Sequence, residues 1–165
     1  MQTTKQLLVS CFLVGLPFCA LAQAPTEHYW YDGTQRRALY IDATQVADFN
    51  ASVQGKSVLQ PSGLLAKSAK TQSPVFKDAP GASGATRALP GGVIVVLPRE
   101  MPEAQARQWL ISEGLTPVRA LGAQADTWLI DAPAGLPALE LANRLFESGK
   151  VKTATPNWWQ SRVRK

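Results

Sequence analysis

The chain has 165 residues, of which 45% are hydrophobic and 18% charged, and a formal net charge of +5. That is enough for one domain with a real core plus appended segments. The cations are dispersed apart from Arg36-Arg37 and the last four residues, which argues against the dense basic face of a nucleic-acid-binding protein. Both cysteines, Cys11 and Cys19, lie near the start, so the body of the chain is built without disulfides or thiol chemistry.

Residues 1–22 read as a signal peptide. Lys5 supplies the positive n-region, 7–21 is almost wholly apolar, and Ala20-Leu21-Ala22 is a small-x-small cleavage signal. A cut after Ala22 is preferred over one after Ala24, because Pro25 would follow the latter bond. The run is too short to span a bilayer comfortably. Leu8-Val9-Ser10-Cys11 has the look of a lipoprotein box but lies too near the start to carry an apolar core before it. The expectation is an exported protein, periplasmic or secreted, with no membrane contact after leader removal. Losing Lys5 leaves a net charge near +4.

Residues 23–50 carry a hairpin signal. His28-Tyr29-Trp30-Tyr31 and Leu39-Tyr40-Ile41 flank Asp32-Gly33, a dipeptide that supplies the positive φ of a primed turn. Two strands alone are marginal, so the aromatics are expected to pack on the main domain, covering part of its open sheet face, or on a partner. Residues 43–49 read as a short helical turn with Val46 and Phe49 on one side. Residues 51–90 are dominated by Ser, Ala, Gly, Pro, Gln and Lys, with Val58-Leu59 and Pro74-Val75-Phe76 as the only apolar islands. They read as a mostly irregular linker, with a domain boundary inside it.

Order returns over residues 91–157. Gly92-Val93-Ile94-Val95-Val96-Leu97 predicts a central buried strand, ended by Pro98. A helix is predicted from Pro102 to about Glu113, with Ala106, Trp109 and Leu110 on one face and Gly114 after its end. Leu115 to Leu121 is a second strand, at an edge because of Pro117, and residues 122–126 are a turn. Thr127-Trp128-Leu129-Ile130 is a third strand. From Pro137, Ala138, Leu141, Ala142 and Leu145 fall at the spacing of one helix face, and Gly149 closes that helix. Val151-Lys152-Thr153-Ala154 is the fourth strand. The order βαββαβ predicts an α+β domain of ferredoxin-like type, two helices covering one face of a four-stranded antiparallel sheet and leaving the other bare. Residues 158–165 form a basic tail: Trp158 and Trp159 at its base, then Arg162, Val163, Arg164 and Lys165.

Nothing in the chain reads as catalytic. His28 is the lone histidine, no HxxxH, CxxC or DxDxD spacing occurs, and the serines have no second histidine or lysine partner. Gly81-Ala82-Ser83-Gly84 lacks the strand and helix that frame a phosphate loop. No metal, cofactor or small-molecule ligand is expected, and the protein is expected not to be an enzyme.

The βαββαβ unit ending in Ala154-Thr155-Pro156-Asn157-Trp158 resembles the propeptides of subtilisin-type serine proteases. The likeness covers about residues 91–159 and rests on Val93-Ile94-Val95, Gly149-Lys150-Val151 and Pro156-Asn157, in that order and spacing. The hairpin is similar to the extra N-terminal segment of longer secreted subtilases. The Asp, His and Ser motifs of the catalytic domain are missing, and the sequence stops where that domain would begin. This layout resembles the external chaperones of secreted subtilisin/kexin-type proteases, the Aeromonas serine protease external chaperone family.

The resemblance implies a partner, a subtilisin/kexin-type serine protease, that is helped to fold and temporarily inhibited in trans. It implies that the sheet face docks on the enzyme, with Asp126, Thr127, Leu129 and Lys152 as candidate contacts. Pro156, Asn157, Trp158 and Trp159 would anchor the tail, and Arg162, Val163, Arg164 and Lys165 would enter the cleft as an added strand. Lys165 would take the first pocket, Arg164 the second and Arg162 the fourth, and the tail would bind like a product. Two other readings compete: a stand-alone subtilase inhibitor without a folding role, and a ferredoxin-like binding module of the cell envelope.

Overall fold

The structure is a computed structural model that describes residues 28–50, 57–64, 69–80, 86–122 and 126–161. The signal peptide expected at 1–22 and the tail residues Arg162, Val163, Arg164 and Lys165 lie outside the described residues. Among the described residues the fold is α+β, with two antiparallel sheets and two α-helices that belong to the second of them.

The first sheet begins with the hairpin. β1 (His28–Asp32) pairs with β2 (Gln35–Asp48) across a turn in which Gly33 has φ +62°, the conformation the Asp-Gly dipeptide predicts. β2 runs 14 residues and takes in residues 43–48 of the stretch expected to be a helical turn, whereas Phe49 and Asn50 are helical. Its branched and aromatic residues are held extended by neighbours on both sides: β1 and then β3 (Leu59–Pro61) on one, β4 (Gln72–Lys77) on the other. The ladder with β4 breaks between Asp42 and Val46, opposite Val75-Pro74. Pro74 has no N–H to offer there. Asp42 stabilises the looped-out residues instead, its Oδ1 accepting the backbone N–H and hydroxyl of Thr44.

Residues 51–90 are therefore not the irregular linker expected from composition. They supply β3, β4 and β5 (Arg87–Ala88), and Val75, Phe76, Ala88 and Leu89 are buried. Tertiary pairing overrides the weak local signal, since β4 is flanked by β2 and β5. Ser73 is fully buried within this strand; its Oγ accepts the Leu89 N–H at 3.0 Å and donates to the Pro74 carbonyl at 2.8 Å. Ser73→Ala leaves the buried Leu89 N–H without its acceptor and is expected to cost about 1–3 kcal/mol, read as a lowered urea midpoint at unchanged slope.

The second sheet has the order β7-β8-β6-β9, built from β6 (Val93–Val96), β7 (Pro117–Ala120), β8 (Thr127–Ile130) and β9 (Thr153–Pro156). The last strand begins two residues later than predicted. α1 (Glu103–Ser112) links β6 to β7, and α2 (Leu136–Glu147) links β8 to β9. Val93, Val95, Trp128, Ile130 and Ala154 form one buried cluster with Ala106 and Leu110 of α1 and Ala138 and Ala142 of α2.

α2 also buries a second side. Leu139 packs with Trp30, Leu39, Phe76 and Leu89 of the first sheet. The helix thus lies between the two sheets, and its start fits tightly: Gly135, φ +79°, would place a Cβ 3.2 Å from the Gln72 carbonyl oxygen. The chain closes by returning to the first sheet. β10 (Trp159–Gln160) pairs with β5 and is the last strand in the order β1-β2-β4-β5-β10.

Candidate functional site

The hairpin packs on α2 and not across the bare face of the second sheet. The hydroxyls of Tyr29 and Tyr31 both donate to Oε1 of Glu147, at 2.8 and 3.0 Å, and the Asn143 amide donates to the Tyr29 carbonyl at 2.8 Å. Tyr31 also lies against Phe146, with ring centroids 4.3 Å apart, and Arg36 sits 3.8 Å over the Tyr29 ring. The hydrogen bonds to Glu147 raise both phenol pKa values above 10.0, with desolvation and the Glu147 charge adding to the effect. A raised value means that this contribution is complete below the ordinary phenol range. It is lost as pH climbs through the raised folded-state value. The urea midpoint is expected to fall above about pH 10, and to fall less steeply in a Tyr29→Phe, Tyr31→Phe double variant.

With the hairpin elsewhere, one face of the second sheet has no cover among the described residues. Alternation along the strands decides which side chains it presents. Val93 and Val95 are fully buried toward the helices, whereas Ile94 and Val96 are only half-buried. Ile94 pairs with Leu129 and Thr155, and Val96 pairs with Thr127 and Thr153, so these six share the open face. Val118, 48% exposed, and Arg119 lie at the register shift beside Leu129. The surface is a strip of branched apolar residues bordered by threonines.

Of the sheet contacts expected from sequence, Thr127 and Leu129 lie on this face. Asp126 stands just before β8; its carbonyl accepts the Leu97 N–H and its carboxylate accepts the Thr127 hydroxyl. Lys152 is exposed just before β9, and its N–H donates to the Val96 carbonyl. Asp126, Thr127 and Lys152 gather at the Val96 end of the sheet, and Leu129 lies opposite Ile94. Ile94, Val96, Thr153 and Thr155 were not anticipated, because the unbroken run of residues 92–97 reads as buried on both faces. Its neighbours held the missing signal, in the alternation Thr127-Trp128-Leu129-Ile130 and Thr153-Ala154-Thr155-Pro156.

The expected tail anchors sit at the opposite, Val93 end. Pro156 is fully buried and pairs with Val93. Asn157 is tied twice to the Gly91-Gly92 turn: its N–H donates to the Gly92 carbonyl at 3.1 Å and its amide to the Gly91 carbonyl at 3.0 Å. Gly91 has φ +105° and would place a Cβ 2.6 Å from the Ala132 oxygen, so this turn accepts no other residue without rearrangement. Trp158 is wedged edge-on against Trp30 and Phe76, with centroids 5.4 and 5.9 Å away, and Trp159 meets Phe49 at 6.2 Å. The Trp pair therefore joins the second sheet to the first.

Other features offer less chemistry. His28 lines a shallow cavity of about 200 Å³ with Tyr29, Asn143 and Glu147, a set without an activated nucleophile. Among the described residues there is no group of three or more His, Cys, Asp or Glu able to hold a metal, and no helix long and apolar enough to cross a membrane. Comparison with known protein families, with curated proteins and with solved structures finds no match.

Proposed function

We propose that this protein is an exported chaperone and temporary inhibitor of a subtilisin/kexin-type serine protease. The observation that carries the reading is a pair of features: a partly apolar sheet face that no described residue covers, and, from the Val93 end of that sheet, a segment anchored by Pro156, Asn157, Trp158 and Trp159 that leads in sequence to the basic tail. The strand order β7-β8-β6-β9, with both crossover helices on the covered face, supports a ferredoxin-like domain of the propeptide type. In this reading Ile94, Val96, Thr127 and Leu129 rest on the protease surface during its folding. Trp158 and Trp159 fix the exit of the tail, and Arg162, Arg164 and Lys165 enter an acid-lined cleft, where each charge-assisted hydrogen bond contributes about 1.5–3 kcal/mol.

The test uses the chain from Gln23 onward against subtilisin and against a kexin-type protease. Two quantities are measured: hydrolysis of a fluorogenic peptide by the active enzyme, and the activity regained when the urea-unfolded catalytic domain is diluted. Inhibition together with a raised refolding yield is the expected result. Inhibition with no gain in refolding would leave a stand-alone inhibitor. Neither effect on either enzyme would overturn the proposal.

A further inference from the structure

β10 is the outermost strand of the first sheet, and the ladder shows which way its backbone groups turn. Trp159 pairs with Ala88 and Gln160 with Arg87, and the Ser161 N–H donates to the Thr86 carbonyl at 3.0 Å. In an antiparallel ladder, alternate residues direct both N–H and C=O to the same neighbour. Trp159 and Ser161 therefore face β5, and Gln160 turns its N–H and C=O to the outer side. Among the described residues no strand pairs with β10 there. A cavity of about 580 Å³ is lined, among the described residues, by Trp158, Trp159, Gln160 and Ser161. The edge also lacks the usual guards, having no proline, charge or register shift over 158–161.

We infer that β10 is a docking edge, and that the partner protease adds an extended segment to its outer side. The inference rests on the proposed function. It adds a specific arrangement: the root of the tail stays paired to β5 and becomes an interior strand, with β5 on one side and the protease on the other. Strand addition supplies backbone hydrogen bonds with little dependence on side chains, here the N–H and C=O of Gln160. Charge selects the occupant. Arg162, Arg164 and Lys165 follow directly in sequence, so the added strand has to border an acidic surface. A second copy of this chain, itself net positive, is the wrong partner.

N-methylation separates the two edges of β10, because it removes one chosen N–H. The segment from Ala154 onward is made synthetically and joined through a cysteine at 154 that is then desulfurised to the native alanine; the rest of the exported chain has no cysteine to interfere. N-methyl-Gln160 is expected to raise the inhibition constant against the inhibited probe protease at least fivefold, the scale of one lost hydrogen bond, with the melting temperature unchanged. N-methyl-Ser161 is expected to lower the melting temperature, because it breaks the bond to Thr86. Unaltered inhibition by the N-methyl-Gln160 protein overturns the inference and leaves the proposed function standing. Failure of the unmodified protein to inhibit subtilisin or the kexin-type protease removes both. A dimer in sedimentation that N-methyl-Gln160 dissociates assigns the edge to a second copy and also overturns it.

Discussion

Phe76→Ala is expected to destabilise the protein by about 3–5 kcal/mol, the range for emptying a large aromatic site in a packed core. Phe76 has no exposed surface. Its ring fills the space between Trp30, Leu39, Leu89 and Leu139, and Trp158 meets it edge-on. Its backbone pairs with Ile41 on one side and Arg87 on the other, so the void opens in the middle of the first sheet. A residue in a solvated linker would change stability by less than about 0.5 kcal/mol. Urea unfolding at neutral pH distinguishes the two, and a change that small would mean that β4 is not part of the core. Trp158 rests on the same ring, so the variant is also expected to loosen the root of the tail.

How far the fold was legible follows from this contrast. Val93-Ile94-Val95-Val96 and Thr127-Trp128-Leu129-Ile130 carry their strand signal locally. Gly114, Gly135 and Gly149 all have positive φ next to the ends of α1 and α2, where the sequence places helix punctuation. The hairpin turn was equally legible in Asp32-Gly33. β4 was not. Gln72-Ser73-Pro74-Val75-Phe76-Lys77 has three polar residues and a proline, and it becomes a strand only because β2 and β5 hold it. The same holds for residues 43–48, which continue β2 past a break that Asp42 and Thr44 accommodate. Thr44's two donated hydrogen bonds hold the Asp42 carboxyl below its ordinary pKa, with the nearby Lys77 ammonium adding to the effect. β10 has two residues, below the length at which any pattern can be read.

The candidate site divides along the same line. Trp158 and Trp159 stand out in sequence because two adjacent indoles beside a cationic run need an explanation. Their partners Trp30, Phe76 and Phe49 come from segments more than 80 residues away, and no spacing rule links them. Ile94 and Val96 were hidden by their own neighbours, since an unbroken branched run looks the same whether one or both faces are covered. The placement of the hairpin decides the matter. Tyr29 and Tyr31 are bound to Glu147 on α2, so that no described residue covers the far face of the second sheet.

Removing Arg164 and Lys165 is expected to weaken protease inhibition at least tenfold while preserving assisted refolding. Two charge-assisted contacts in an acid-lined cleft sum to about 3–6 kcal/mol before the ordering of two long side chains and the desolvation of their charges are subtracted. A remainder of only about 1.4 kcal/mol already gives a factor of ten. The truncation leaves β10, its pairing with β5 and the Trp158 and Trp159 contacts in the chain, so the melting temperature should hold. The open face around Ile94 and Leu129 is also untouched, and the yield of refolded protease should match that of the full chain. Salt provides an internal check. The difference between full-length and truncated inhibitor should narrow as ionic strength rises, because the screening length falls from about 10 Å at 0.1 M to about 3 Å at 1 M. The difference should be larger against a kexin-type protease, whose pockets are lined with acids, than against subtilisin. Equal inhibition by the two forms at low salt would rule out the tail as the inhibitory element and place the whole interaction on the sheet face and on β10.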